Sequence, residues 1–289
     1  MSGPLSAGTV DYLCNAFGPE RAAAWDGAIA AQGLVLKIQR VANDSFTDPG
    51  EMVARMDSLG IATVIVAACD PETHGSGFAF SDVAAGYEEA RDLARAHPGR
   101  FATLWTVAPD LAMAGVRRAE EALAQDWVVG LYVHTHSYDR RFDHADYYPY
   151  YALADRAGVP VVMQAGISGG RMPSECGRPV GIDRPALYFP DTDFVLSHTG
   201  WPWVEEAVAM ALKFSNVYLG TASYPPRRWP PAVVDFLRHA GRSKVLFGTN
   251  FPTVGHRRAL GQLDELDLDD GVRHGLLEGN ARSIFGRLA

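Results

Sequence analysis

The chain has 289 residues, 47% hydrophobic and 21% charged, with a formal net charge of −8 and a pI near 5.6. That balance suits a globular protein with a large core, and it lacks the clustered Lys and Arg that hold nucleic acids or anionic membranes. Its longest apolar stretches, such as Val64 to Cys69 and Val159 to Met163, fall well short of the roughly 20 residues needed to cross a bilayer, and Met1 to Thr9 carries no export-type pattern, so a cytoplasmic protein with a small-molecule substrate is expected.

Eight short, β-branched runs recur along the chain with helical segments between them, the signature of a parallel sheet built from βαβ units. They are Thr9 to Cys14, Thr63 to Ala68, Phe101 to Val107, Val128 to Val133, Val159 to Gln164, Asp193 to Ser197, Val217 to Gly220, and Lys244 to Gly248. Several are near-continuous apolar runs, as expected of strands covered on both faces; Val64, Val66, Val129, Val161 and Val195 should lie in the wall. Helices are expected over Glu51 to Leu59 behind Asp48-Pro49, from Ser81 to His97, and over Leu111 to Gln125. Asp143 to Ala157, Trp201 to Phe214 and Pro230 to His239 complete the set. Eight strands with crossovers, and no phosphate-cradling GxGxxG or Walker pattern, predict a single (β/α)8 TIM barrel over residues 1–289 rather than an open doubly wound sheet.

Two connections are too long for plain βα loops, at about 16–48 and 165–190, and read as ordered insertions on the C-terminal face of the barrel. Cys14, Cys69 and Cys176 are few and widely spaced, which favours reduced, buried thiols over a disulfide framework or a CxxC metal knuckle.

Barrel enzymes assemble their sites from the C-terminal ends of separate strands. Those ends carry Asp11, Leu13 and Asn15, then His134 and His136, Gln164, His198 with Trp201 and Trp203, Tyr224, and Asn250. His198 follows a buried strand and precedes Gly200, and imidazole exchanges a proton near neutrality, so it is the candidate general acid or base. Asn250 and Gln164 either donate N–H groups to a substrate oxygen or simply bond across the barrel mouth. Trp201 and Tyr224 are candidates for an aromatic pocket, with Trp203 as either pocket or core. Arg171 and Arg178 on the long fifth-strand connection could clamp a carboxylate. Asp11 is either catalytic or a residue that fixes backbone. His74, His97, His144, His239, His256 and His274 read as loop or helix-surface residues.

The segments Ser197 to Trp203, Leu246 to Pro252 and Gly279 to Phe285, with Met163 to Gly166 and the order of all four, resemble the amidohydrolase-2 family. That family includes aminocarboxymuconate semialdehyde decarboxylase and related aromatic acid decarboxylases. The resemblance implies a metal-dependent barrel: a divalent ion on a first-strand His-x-His, a fifth-strand His and an eighth-strand Asp, with a separate catalytic His on the sixth strand. Here the four ligand positions read Leu13, Asn15, Gln164 and Asn250, while His198 keeps the catalytic place. No metal or other cofactor is therefore expected. The expected function is metal-independent, His-assisted proton transfer of lyase, isomerase or cyclisation type on a small aromatic or carboxylated substrate. One alternative is a metal-dependent hydrolase or decarboxylase with a shifted site at His134, His136 and His198. The other is a catalytically inactive barrel that binds a small molecule. The resemblance also implies a homodimer.

Overall fold

The computed structural model describes residues 8–32, 46–70, 72–73 and 84–288. Eight parallel strands run in sequence order around the molecule: β1 (Thr9–Cys14), β2 (Ile61–Cys69), β3 (Phe101–Thr106), β4 (Val128–Val133), β5 (Val161–Met163), β6 (Phe194–Leu196), β7 (Val217–Gly220) and β8 (Val245–Leu246). A two-residue strand, Ala85–Gly86, pairs alongside the end of β2. The ring closes between β8 and β1 through a Cys14–Phe251 bridge and the bonds Tyr12 N to Phe247 O (3.2 Å) and Asn250 N to Leu13 O (2.8 Å). The chain is a nearly closed (β/α)8 TIM barrel, as its pattern of apolar runs predicts.

Strands β5, β6 and β8 are shorter than the runs predicted for them, and Gln164 and Ser197 leave the ladder just past β5 and β6. Their backbones stay tethered, with Gln164 N bonded to Val133 O (2.9 Å) and Ser197 N to Met163 O (2.8 Å). The expected helices form where their punctuation places them. Asp48 caps Pro49–Leu59 by accepting from Gly50 N and Glu51 N, and Gly60 ends it at φ 69°, the left-handed conformation that glycine adopts without strain. The helix expected from Ser81 is seen as Tyr87–Ala96; Ser81 and His74 lie outside the described residues, as do positions 33–45 of the first long connection.

Hydrophobic side chains divide into two layers. One packs strands against the outer helices, and the other fills the barrel interior with Val10, Tyr12, Leu13, Ile65, Leu104, Val129, Tyr132, Val162, Val195 and Leu246. Ile284 and Phe285 belong to this inner layer, and Arg287 bonds to the carbonyls of Leu123 and Val128, both at 2.8 Å. All five valines expected in the wall are buried. All three cysteines are buried free thiols. Among the described residues, no helix is long and apolar enough to cross a membrane.

Candidate active site

Pairing between β1 and β2 slips after Asp11, where Asp11 opposes Val64 but Cys14 opposes Val66. This is a bulge, which re-aims side chains at a strand end. Tyr12 and Leu13 both enter the interior layer. Room for the Tyr12 ring comes from glycines at the end of β7 and just past β8: a Cβ at Gly220 would stand 2.0 Å from its hydroxyl and one at Gly248 2.4 Å from its ring. The Tyr12 hydroxyl reaches Ser197 Oγ at 2.8 Å, and Ser197 Oγ reaches His198 Nδ1 at 2.8 Å. Tyr12 and Ser197 were not among the candidates from sequence; the period-2 alternation of Val10 and Tyr12 and the adjacency of Ser197 to His198 were the available signals.

His198 is 6% exposed. Burial, and then the nearby His136, push its pKa down to about 3, so the imidazole is neutral at physiological pH. Its Nε2 makes no hydrogen bond to the described residues and is not a fully enclosed atom, and the residue itself lies just past the C-terminal end of β6. Across the mouth, His134 pairs through Nδ1 with Ser137 Oγ (2.7 Å) and His136 donates from Nε2 to Gly166 O (2.9 Å). Burial is the leading cause that lowers both of their pKa values. Backbone strain gathers here: His198 (φ 61°), Thr199 (φ 54°), Ser223 (φ 69°) and Asn250 (φ 53°) are all left-handed without being glycine. Such conformations cost about 1–3 kcal/mol each and concentrate at functional sites.

Polar residues at the remaining strand ends bond to one another. Asn15 Nδ2 donates to Asn250 Oδ1 (3.0 Å) and Phe251 O (3.1 Å), while Asn250 Nδ2 donates to Ser223 Oγ (2.7 Å). The Tyr132 hydroxyl donates to Gln164 Oε1. Tyr132 and Ser223 are further partners that sequence reading did not single out.

One expectation needs correction. His256, expected on a helix surface, is 1% exposed because its ring stacks on Phe251 (centroids 4.7 Å, 4° between planes) and Nε2 donates to Asp11 Oδ2 at 3.0 Å. Asp11, a catalytic candidate, is fully enclosed. Its oxygens accept from Thr249 N (3.0 Å), Leu13 N (3.3 Å), the Thr249 hydroxyl and His256. With every lone-pair direction taken, Asp11 ties β1 to the connection after β8. Asp11, Cys14 and His256 are the one group of three among the described residues whose potential ligand atoms lie within 4.8 Å of one another. Burial raises the Cys14 pKa, which keeps the thiol protonated and a poor ligand.

At the rim, Trp201 is 43% exposed and its ring lies 6.4 Å from that of Tyr224. Trp203 is half-buried under the Arg178 guanidinium, 5.6 Å from the ring centroid. Arg178 is engaged by Glu206, so of the two arginines considered as clamps only Arg171, exposed on the long connection, is uncommitted among the described residues.

The sequence pattern that defines the amidohydrolase family matches residues 17–287. The chain belongs to the amidohydrolase family. The match begins after β1, so Leu13 and Asn15 lie outside it. This amidohydrolase is similar in structure to an uncharacterized TIM-barrel protein from Bordetella bronchiseptica (TM-score 0.78, 19% identity, covering 97% of this chain and 99% of that one). It is also similar to a 5-carboxyvanillate decarboxylase from Novosphingobium aromaticivorans complexed with manganese and 4-hydroxy-3-methoxy-5-nitrobenzoic acid (TM-score 0.72, 16% identity, 99% of each chain). A 2,6-dihydroxybenzoate decarboxylase from Rhizobium gives a TM-score of 0.66 at 15% identity, over 96% of this chain and 98% of that one. At these identities the likeness is one of fold. No curated protein sequence matches the chain.

Proposed function

We propose that this amidohydrolase is a metal-independent enzyme performing His198-assisted proton-transfer chemistry, of lyase, isomerase or cyclisation type, on a small aromatic or carboxylated substrate. The observation that carries the reading is the donor chemistry at the four positions where the family resemblance places ligands. Leu13 offers hydrocarbon, Asn15 and Asn250 are bonded to each other, and Gln164 Oε1 is filled by the Tyr132 hydroxyl. Transition metals are held by imidazole, thiolate and carboxylate, and neutral amides are weak substitutes without the charge of a carboxylate. These residues do not fit the divalent ion that the family implies.

The shifted centre considered from sequence finds no support either. His134, His136 and His198 are each turned to a separate partner, Ser137, Gly166 and Ser197, and their ring nitrogens do not converge as a ligand group. Without a metal to generate hydroxide at neutral pH, hydrolysis of an unactivated amide loses its nucleophile. A reaction that moves a proton at an already polarised carbon or oxygen is compatible with a neutral imidazole and amide N–H groups. Trp201 and Tyr224 suit a planar, aromatic substrate.

The test is elemental analysis of the purified protein together with turnover of hydroxylated aromatic carboxylates before and after chelation. Metal far below one per chain and chelator-insensitive turnover are expected. About one tightly held metal per chain, with activity lost on its removal, overturns the proposal.

A further inference from the structure

We infer that Ser197, itself held by a hydrogen bond from Tyr12, is a positioning residue that locks His198 in the tautomer with its proton on Nε2, so that it meets substrate as a neutral hydrogen-bond donor to a charge-bearing oxygen and not as a proton acceptor. The substrate half of this statement rests on the proposed function; the tautomer half stands on hydrogen-bond accounting alone.

Tyr12 is completely buried. Backbone N–H groups of Ala222 and His198 lie against its phenol oxygen, and the one acceptor its O–H meets among the described residues is Ser197 Oγ. The phenol therefore donates to Ser197. Ser197 Oγ has two side-chain partners, Tyr12 and His198 Nδ1. Having accepted from the first, it donates to the second. Nδ1 accepts, the imidazole proton resides on Nε2, and Nε2 is left unenclosed and without a partner among the described residues.

The opposite arrangement, needed if Nε2 were to accept a proton from substrate, sends Nδ1–H to Ser197, whose oxygen then either accepts from both neighbours or passes its own proton to Tyr12. One of the two hydroxyls, Ser197 or Tyr12, is then a buried donor with no acceptor among the described residues, a penalty that disfavours this tautomer by a factor of roughly 5 to 150.

The adjacent strand end repeats the logic. The O–H of buried Tyr132 donates to Gln164 Oε1, which turns the Gln164 amide N–H groups the other way. Gln164 Nε2, like His198 Nε2, is neither enclosed nor bonded to the described residues. Neighbouring strands β5 and β6 thus present two neutral N–H donors whose orientation is set by buried hydroxyls. The ligand chemistry they suit is a carboxylate, phenolate or enolate oxygen.

The test is long-range proton–nitrogen correlation NMR of protein labelled with nitrogen-15 in histidine, at neutral pH and without ligand, with His198 assigned by the signal missing from His198→Asn. The wild-type protein is expected to show the proton on Nε2 and an unprotonated Nδ1. A protonated Nδ1, or an imidazolium, overturns the inference. In Ser197→Ala the ratio of the two tautomers is expected to shift at least about fivefold toward Nδ1–H; an unchanged ratio removes Ser197 from the role. Tyr12→Phe keeps the ring that fills the barrel and leaves Nδ1 as the one side-chain acceptor for the Ser197 proton among the described residues, so the Nε2–H tautomer is expected to persist; a shift toward Nδ1–H there overturns the inference. These readouts need no turnover. An inactive protein with the expected tautomer would count against the proposed function and leave this inference standing, whereas the wrong tautomer overturns it whatever the activity.

Discussion

Acidifying the protein should destabilise it through the histidines at the mouth, and His198 allows the size of the effect to be worked out. An unfolded histidine titrates near pH 6.5, whereas burial holds folded His198 down at about 3. The folded value is depressed, so the contribution of His198 to stability is complete above about pH 6.5 and is lost as pH falls through the window down to about 3. At about pH 5 the unfolded imidazole has gained most of its proton and the folded one almost none, a gap of about 1.5 pH units, or about 2 kcal/mol. His134 and His136 are shifted in the same direction and add to the loss. For domains stable by about 5–15 kcal/mol this is a large fraction. Urea unfolding at about pH 7.5 and about pH 5, for wild type and His198→Gln, isolates the effect because other titrating groups are common to both proteins. The wild type should lose about 2 kcal/mol more than the variant over that interval. Equal losses would show that folded His198 takes up its proton as readily as the unfolded chain, and would refute the buried, neutral imidazole.

His198→Asn should lower kcat by roughly 10² to 10³, the scale for losing a placed hydrogen-bond donor, while the protein stays folded and binds substrate; near-normal kcat in a folded variant would remove His198 from the chemistry. Gly220→Ala drives a Cβ to 2.0 Å from the Tyr12 hydroxyl and should cost about 1–3 kcal/mol in thermal or chemical unfolding. The loss should shrink when Tyr12→Phe is added, and strict additivity would show that the clash is not with the hydroxyl. Asp11→Ala strips the acceptor from His256, Thr249 and the Leu13 N–H and should destabilise the fold by about 3–5 kcal/mol; a fully stable but inactive Asp11→Ala protein would return Asp11 to the list of catalytic groups.

The sequence by itself determined the barrel, because a parallel sheet covered on both faces needs apolar, β-branched runs spaced by amphipathic helices, and that pattern is local along the chain. It also placed His134, His136, Gln164, His198 and Asn250 at strand ends, since the end of each run is the end of each strand. It could not show which way those side chains are committed. Asp11 reads as a polar residue at a strand end, yet the bulge before Cys14 leaves it enclosed by Thr249 and His256 from the far end of the chain. His256 has no apolar periodicity around it that foretells stacking on Phe251. Tyr12 reads as one more large residue of a wall strand; its hydroxyl acquires a role only because Ser197, 185 positions away, is brought within 2.8 Å when the barrel closes. Hydrogen-bond direction is a property of the whole buried network, and each proton is placed by where the last acceptor lies. The tertiary structure alone therefore decides which nitrogen of His198 faces the substrate.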